Sequence, residues 1–321
     1  MKAILSLMFL LSKGFPGFCL MPFFSPTGGQ LLVCAGKSTV KLFNRDGVEL
    51  QETLKGRAES VRFNFELGDM YITDMRHTKG HVSNVTCGSW HPTDKNIFMT
   101  SSLDSTIRIW DITSKPIGIE QNLMQRDVIK LRTSPSTHGK VAITACAYSK
   151  DGGLIAGGGK DGCLQIWAQN AHYVRPQFYL QHAHLPNIDI SSLCFFKDSH
   201  KILSRACDDT MKLWDLRAFK KPVHVWEELD NFFPKTQVSL SPDEKYVLTG
   251  TSAKEKQGHG FLMIYSTQTF ERIAQLAISQ AMVIRVIWHE KINQYLFMWL
   301  ISLEFLSLLE MRKQEYCTIL I

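Results

Sequence analysis

One spacing recurs in this chain, an aspartate followed six residues later by a tryptophan. It occurs three times, as Asp104 with Trp110, Asp161 with Trp167, and Asp208 with Trp214. In each copy a short turn at the aspartate leads into alternating apolar and polar residues, a pattern that is typical of a β-strand. Because self-similarity at a recurring spacing indicates a repeat architecture, this feature constrains the fold more than any other.

The length of the repeat follows from the residue that ends the first strand of each copy. These residues are Phe24, Trp90, Tyr148, Phe195, Leu240 and Trp288, and the last three steps between them measure 45 to 48 residues. Units of this length with four short strands each are typical of β-propeller blades. A single sheet cannot bury both of its faces, so successive sheets must stack. The sequence therefore predicts an all-β propeller with about six recognisable blades over residues 22–298.

Composition argues against several other classes of protein. A chain of 321 residues that is 45% hydrophobic can bury a large core. The net charge of +6 is spread along the chain, whereas direct nucleic-acid binding favours a clustered basic face. The eight cysteines form no Cys-x-x-Cys pair, so neither a zinc site nor a redox motif is predicted. We expect free thiols in a reducing intracellular compartment and no cofactor.

The two ends of the chain and one internal stretch depart from the repeat. Residues 1–21 are an atypical apolar leader, in which Lys2 and the run Ala3–Leu11 resemble a secretory signal that lacks a cleavage site. Residues 299–321 are a divergent tail, and the apolar run that leads into it is broken by Glu304. Neither end has the ~20 apolar residues that a membrane helix needs. The stretch Arg57–Gly68 interrupts the spacing and is interpreted as a surface insertion.

Dipeptides within the copies carry a resemblance. Gly80-His81, Trp110-Asp111 and Trp214-Asp215 resemble the Gly-His and Trp-Asp dipeptides of WD-repeat β-propellers. In that family a histidine, a strand hydroxyl, the turn aspartate and the tryptophan form a hydrogen-bonded set within a blade. The resemblance implies one set of His81, Thr100 or Ser102, Asp104 and Trp110, a second of His184, Ser204, Asp208 and Trp214, and structural roles for Asp161 and Trp167.

The same residue types also suggest a different function. A hydroxyl, a histidine and an aspartate together form the triad of many hydrolases. An enzyme needs one such site, whereas this chain carries the set more than once, so a structural role is favoured. We predict no catalytic and no metal-binding residues.

A closer resemblance covers roughly residues 22–297. Segments such as Gly68-Asp-Met-Tyr-Ile-Thr-Asp-Met75, Gly88-Ser-Trp-His-Pro92 and Phe219-Lys-Lys-Pro222 resemble the WD repeat-containing protein 70, or gastrulation-defective, family. The chain departs from that family before Phe24, beyond Gln294 and between Arg57 and Leu67, as gene-model or splice differences would produce. If these departures are genuine, we expect an incomplete ring with open blade edges.

The resemblance implies a nuclear protein connected with chromatin and the response to DNA double-strand breaks. Propellers of cullin-type ubiquitin ligases present a Trp-Asp-x-Arg box to the ligase adaptor, and Trp214-Asp215-Leu216-Arg217 fits that box. The other interpretation of Arg217 is a solvated charge after a strand. We therefore predict a non-enzymatic scaffold whose partners are proteins, including a cullin ligase adaptor and chromatin factors. The alternative is an RNA- or DNA-associated assembly factor.

Overall fold

The structure is a computed structural model that describes residues 21–56, 61–64, 69–72, 78–114, 122–131, 141–169, 173, 175–232, 234–252, 259–279, 282–288, 294–300 and 318–320. The chain divides into two compact units, Met1–Gln181 and His182–Ile321. Over the described residues both units consist of antiparallel β-strands, with one short 3₁₀ turn at Leu216–Ala218 and no α-helix. Consequently no described helix has the length and apolar character required to span a membrane.

The first unit contains three four-stranded sheets and a hairpin. Sheet 1 consists of β1 Met21–Phe24, β2 Gln30–Cys34, β3 Lys41–Asn44 and β4 Glu49–Glu52. The hairpin pairs β5 Val61–Asn64 with β6 Asp69–Ile72. Sheet 2 consists of β7 Val85–Trp90, β8 Ile97–Ser102, β9 Thr106–Asp111 and β10 Gln125–Lys130. Sheet 3 consists of β11 Ile143–Tyr148, β12 Leu154–Gly159, β13 Leu164–Ala168 and β14 Phe178–Leu180.

The second unit contains two four-stranded sheets and one three-stranded sheet. Sheet 4 consists of β15 Ile190–Phe195, β16 Lys201–Ala206, β17 Met211–Asp215 and β18 His224–Trp226. Sheet 5 consists of β19 Val238–Leu240, β20 Tyr246–Gly250, β21 Gly260–Ser266 and β22 Arg272–Ser279. Sheet 6 consists of β23 Met282–Trp288, β24 Gln294–Leu300 and β25 Thr318–Leu320. In every sheet, strands that follow one another in sequence are neighbours, as in a meander.

Apolar side chains fill the space between successive sheets. In the first unit one cluster joins sheets 1 and 2 and includes Leu42 and Trp110, and another joins sheets 2 and 3 and includes Ile107 and Trp167. In the second unit equivalent clusters join sheets 4 and 5 and sheets 5 and 6. The first strands also contact one another, β1 with β7 and β7 with β11 in one unit, and β15 with β19 and β19 with β23 in the other. Within each unit, successive sheets thus bury apolar faces against one another, as the repeat predicts.

Two backbone features recur with the repeat. The residue after each of the three spaced aspartates has a positive φ, 67° at Ser105, 78° at Gly162 and 58° at Asp209. The pairing of the first and second strands shifts register near the start of the first strand, at Thr86, Thr144, Ser191 and Ile284. Such shifts are β-bulges, which increase the local twist of a sheet.

Sheet 1 and the stretch Arg57–Gly68 depart from the repeat in sequence, and each contains described strands. Sheet 1 forms although Lys37 and Phe43 occupy the places of the aspartate and tryptophan, and Gly47, with φ 85°, makes the turn between β3 and β4. The stretch Arg57–Gly68, interpreted as a surface insertion, includes β5, which pairs with β6. The sixth copy has its predicted first two strands, and its turn at residues 289–293 lies outside the described residues.

Candidate functional site

A continuous chain of hydrogen bonds crosses sheet 2 from Trp110 to Asp104. Trp110 Nε1 lies 2.8 Å from Thr100 Oγ1, which lies 2.7 Å from His81 Nε2. His81 Nδ1 in turn lies 2.9 Å from Asp104 Oδ2. All four side chains are buried. Of the two hydroxyls proposed from the sequence, Thr100 takes part, whereas Ser102 accepts a hydrogen bond from the backbone amide of Asp104 within the turn.

One placement of the protons gives every polar atom of this relay a partner. The indole N–H can only donate, so Thr100 Oγ1 accepts from Trp110 and donates its own proton to His81 Nε2. His81 is then a neutral imidazole whose Nδ1–H donates to the Asp104 carboxylate. Burial lowers the pKa of His81, against the opposing effect of Asp104, in agreement with a neutral ring. Every polar atom of the relay thus has a partner, which a buried polar group requires.

Asp104 accepts more than the bond from His81. Its Oδ1 accepts from Thr106 Oγ1 at 2.6 Å and from Thr106 N at 3.0 Å, and its Oδ2 accepts from Val82 N at 3.1 Å. Burial acts to raise the pKa of Asp104, but the hydrogen bonds from His81 and Thr106 oppose it and lower the pKa to about 2. Asp104 therefore stays ionised and joins the loop before β7 to the turn between β8 and β9.

Sheet 4 repeats the relay almost atom for atom. Trp214 Nε1 donates to Ser204 Oγ at 2.8 Å, Ser204 Oγ lies 2.7 Å from His184 Nε2, and His184 Nδ1 lies 2.9 Å from Asp208 Oδ2. Thr210 Oγ1 donates to Asp208 Oδ1 at 2.7 Å, as Thr106 does in sheet 2. Burial again acts to raise the pKa of Asp208, and the bonds from His184 and Thr210 hold it well below its usual range.

Among the described residues of sheet 3, Trp167 lacks the tryptophan-to-hydroxyl bond, although Asp161 and Trp167 have the predicted spacing. Trp167 is buried, but its Nε1 has no hydrogen-bond partner among the described residues. Asp161 Oδ1 accepts from Cys163 N at 3.1 Å, within its own turn. Within the described residues Trp167 therefore has a buried indole without the hydrogen bond of the other two tryptophans, and the structural role of Asp161 beyond its own turn stays a prediction.

Strand register gives the reason. In each sheet the hydroxyl of the relay lies two residues after the cross-strand partner of the tryptophan. The partners are Phe98 for Trp110, Ile202 for Trp214 and Ile155 for Trp167, which places Thr100, Ser204 and Gly157 at the hydroxyl position. Gly157 has no hydroxyl, and the space beside it is occupied by Ile107 Cδ1, only 2.9 Å from where a Cβ would stand. Apolar packing replaces the polar relay in sheet 3.

The relays are poor candidates for hydrolytic chemistry. Thr100 and Ser204 are fully buried, and each hydroxyl already lies between an indole and an imidazole. A nucleophile must reach its substrate in the correct geometry, which these positions do not allow. No group of three or more potential metal ligands occurs among the described histidine, cysteine, aspartate and glutamate side chains.

The segment Trp214-Asp215-Leu216-Arg217 separates into a buried and an exposed half. Trp214 and Leu216 are buried, so a partner cannot contact the indole directly. Asp215 Oδ1 accepts from Arg217 N at 2.9 Å and from Arg217 Nε at 3.1 Å, and its Oδ2 accepts from Nη2 at 3.0 Å. The Arg217 side chain is nevertheless 66% exposed. The guanidinium is therefore held in one orientation at the protein surface.

The corresponding segment of sheet 2 has the same turn without the cation. Asp111 Oδ1 accepts from Thr113 N at 2.8 Å and from Thr113 Oγ1 at 2.6 Å. Thr113 thus occupies the place of Arg217 and ends in a short neutral side chain. This segment is a natural internal control for any role of Arg217.

The sequence analysis did not predict a role for two further pairs of residues. Thr106 and Thr210 each lie two residues after the relay aspartate, a spacing that is visible in the sequence. Arg108 and Lys212 each lie two residues before the relay tryptophan. Arg108 is fully buried and donates to the Thr78 carbonyl at 2.7 Å, and Lys212 Nζ donates to the Ala183 carbonyl at 2.8 Å. In both copies a cation thus anchors the loop that carries the relay histidine.

Comparison with known families identifies the repeat. The family described as WD domain, G-beta repeat matches residues 73–111, 129–168 and 177–215, which are the copies with the aspartate-to-tryptophan spacing. The chain belongs to the WD-repeat family. The predictions of the family and of an all-β propeller fold are confirmed.

Similar WD-repeat proteins come from several animals. WD repeat-containing protein 70 of Xenopus laevis is 40% identical over 272 residues, covering 84% of this chain and 40% of the relative. WD repeat-containing protein 70 of Homo sapiens is 40% identical over 271 residues, covering 84% of this chain and 38% of the relative. The Gastrulation defective protein 1 homolog of Drosophila melanogaster is 36% identical, with the same coverage. This chain spans about two fifths of their length.

A solved structure shares the fold. The β-propeller domain of Myceliophteria thermophila Cps50 (Swd1) superimposes with a TM-score of 0.61, covering 87% of this chain and 78% of that domain. The sequence identity is 16%, so this likeness concerns the fold alone.

Proposed function

We propose that this WD-repeat chain is a nuclear adaptor that presents chromatin-associated proteins to a cullin-type ubiquitin ligase during the response to DNA double-strand breaks. WD-repeat propellers are in general protein-interaction scaffolds, and their loops carry the binding residues. The resemblance to the WD repeat-containing protein 70 family is what suggests the nuclear and DNA-repair setting.

The observation that supports this proposal most directly is the state of Arg217. Its guanidinium is largely exposed, yet two hydrogen bonds from the side chain to Asp215 hold it in place. An arginine that is already oriented loses less conformational entropy when it binds a partner carboxylate. Trp214 contributes indirectly, because its bond to Ser204 fixes the strand end that carries Asp215.

The test is a pull-down of the cullin ligase adaptor with the full chain. Arg217→Ala should lose most of the adaptor while its thermal unfolding stays unchanged, because the side chain is at the surface. Arg217→Lys should also bind poorly, since an ammonium group lacks the planar fork of the guanidinium. Thr113→Ala, at the equivalent position of sheet 2, should bind as the wild type does. Equal capture by all four proteins would refute the ligase-adaptor role.

The alternative is a nucleic-acid-associated assembly factor. Arg108 and Arg205 are fully buried and cannot contact phosphate groups. Binding of labelled RNA or DNA at two salt concentrations distinguishes the two functions, because phosphate contacts weaken steeply as salt rises.

A further inference from the structure

Two loops of the second unit meet at the turn between β16 and β17. Asp208 Oδ2 accepts from Leu185 N at 3.2 Å, and the Asp189 carbonyl accepts from Cys207 N at 3.0 Å. On the other side, Asp209 Oδ1 accepts from Asn231 N at 2.7 Å. The loops before β15 and before β19 are therefore both held by residues 207–209.

Each of these two loops carries a large apolar side chain that faces solvent. Leu185 is 60% exposed and Phe232 is 63% exposed. Single exposed apolar residues are common, but these two flank the same turn through backbone bonds. Phe232 N also donates to Ser252 Oγ at 3.1 Å, so the backbone of Phe232 is held in place. Its ring is thus presented on an ordered backbone.

Most of the charged residues around Leu185 and Phe232 are acidic. In the loops 182–189, 207–210 and 227–237 the described residues outside the buried relay include five acidic side chains and one lysine, Lys235. Glu227 and Glu228 are exposed and form no ion pair with a described residue. The neighbouring segment 253–258, with two lysines and one glutamate, lies outside the described residues. A locally acidic surface contrasts with the net charge of +6 for the whole chain.

The base of the surface is rigid. Arg205 is fully buried, and its Nη2 donates to the Gly250 carbonyl at 2.9 Å and to the Leu229 carbonyl at 3.3 Å. Leu229 N in turn donates to the Asp209 carbonyl at 3.0 Å. The loop that carries Glu228 and Phe232 is thereby joined to β16 and β20, so little ordering is needed when a partner binds.

We propose that Leu185, Asp189, Glu227, Glu228 and Phe232 form a docking surface for a basic protein segment that carries apolar side chains between its arginines or lysines. The apolar side chains would cover Leu185 and Phe232, and the cations would meet the carboxylates, which also speeds association. This inference deepens the proposed function, since a scaffold that presents partner proteins must hold them at a surface other than its ligase contact.

Three labelled peptides bound to the full chain test the charge and the apolar requirement separately. One alternates arginine with leucine, the second alternates arginine with serine, and the third alternates glutamate with leucine. Fluorescence anisotropy should show the arginine–leucine peptide binding at least about tenfold more tightly than either of the others. Its affinity should also fall as salt rises, because exposed charges are screened. Equal affinity of all three peptides would overturn the proposal.

Matched variants locate the surface. Phe232→Ser, Leu185→Ser and the double change Glu227→Lys with Glu228→Lys should each weaken binding of the arginine–leucine peptide by about tenfold. Ile273→Ser and Glu271→Lys, at exposed positions in or next to β22, should change it by less than about twofold. Unchanged binding in the first group, in proteins that still unfold at the wild-type temperature, would contradict the assignment.

Arg217→Ala separates this inference from the proposed function. The variant should keep full affinity for the peptide, because Arg217 follows β17 at the end away from residues 207–209. Loss of peptide binding in this variant would place the docking surface elsewhere. Normal adaptor capture by Phe232→Ser would leave the ligase role intact whatever the peptides show.

Discussion

Sheets 2 and 3 of the first unit differ in how they hold the same tryptophan. Trp110 in sheet 2 donates to Thr100 and through it reaches His81 and Asp104. Trp167 in sheet 3 is as deeply buried, but its indole N–H has no partner among the described residues. Apolar burial is therefore sufficient to hold the tryptophan in place. The relay has a different role, because it joins the loop before the first strand to the turn that carries the aspartate.

The difference originates at one position in the second strand. Thr100 and Gly157 occupy equivalent places in the register, and Ile107 of sheet 2 packs against the space that a side chain at residue 157 would need. A residue of one sheet thus limits what its neighbour can contain. Sheet 2 therefore holds its tryptophan with a hydrogen bond to a hydroxyl, whereas sheet 3 holds its tryptophan by close apolar packing.

Removing the relay carboxylate should have the largest effect. Asp104→Ala leaves the donors of His81, Val82 and Thr106 without their acceptor in a buried site. An unsatisfied buried donor costs about 1–3 kcal/mol, so the loss of this shared acceptor should lower the free energy of unfolding by at least about 3 kcal/mol. Among the described residues Asp161 bonds only within its own turn, to Cys163, so Asp161→Ala should cost less, about 1 kcal/mol. Urea denaturation of the two variants compares them, and equal losses would abolish the distinction between the sheets.

Making sheet 2 resemble sheet 3 should cost somewhat less. Thr100→Val keeps the shape of the side chain but leaves His81 Nε2 and Trp110 Nε1 unpaired, at a cost of about 2–3 kcal/mol. Thr100→Ser retains the hydroxyl and should lose less than about 1 kcal/mol. Equal stability of the two variants in thermal unfolding would show that the hydroxyl is dispensable.

Making sheet 3 resemble sheet 2 should fail for steric reasons. Gly157→Ser places a Cβ 2.9 Å from Ile107 Cδ1 and 3.1 Å from the ring of Trp167. Overpacking of this kind costs about 1–3 kcal/mol. Adding Ile107→Val removes the nearest atom and should recover part of the loss, so the two changes should not be additive. Strictly additive losses in urea denaturation would contradict this packing argument.

Acid should destabilise the relays at two stages. Burial lowers the pKa of His81 in the folded chain. The unfolded state therefore binds a proton near pH 6.5, whereas the folded state does not. As a result, the free energy of unfolding falls as the pH drops below about 6.5. The stability from Asp104 is present above the unfolded pKa of 3.8 and is lost as the pH falls toward about 2.

A substitution that does not titrate isolates the first stage. His81→Gln preserves one donor and one acceptor but cannot bind a proton, so its unfolding temperature should decrease less than that of the wild type between about pH 7 and about pH 5. His91→Gln is the matched control, because His91 contacts Gln169 and lies outside the relays. If both variants retain the wild-type pH dependence, His81 does not titrate on unfolding as described.

Much of this arrangement could be predicted from the sequence, and the errors have physical causes. The six-residue spacing placed Asp104, Trp110, Asp208 and Trp214 correctly in their turns and strands. It also included Asp161 and Trp167, because the spacing does not report on the second strand. There the run Gly157-Gly158-Gly159 replaces Thr100-Ser101-Ser102, a visible signal that the hydroxyl is missing.

Other features carried no usable sequence signal. The bulge at Thr86 has neither glycine nor proline beside it, and it depends on contacts between strands, such as the bond from Thr86 Oγ1 to the Ile143 carbonyl at 2.6 Å. The exposure of Phe232 also depends on the tertiary fold, since its loop is fixed by Asp209 and Ser252. Local patterns predict strands and turns but not which side chains the neighbouring loops leave in solvent.

The central claim is that His81 and His184 are neutral imidazoles, protonated on Nδ1, that connect a hydroxyl to a carboxylate. Nitrogen-15 NMR of histidine-labelled protein reads the protonation of each ring nitrogen directly. The account predicts that at about pH 6.5, where free histidine is half protonated, both rings show a protonated Nδ1 and an unprotonated Nε2. Rings protonated on both nitrogens, or rings that titrate near pH 6.5 as free histidine does, would contradict it.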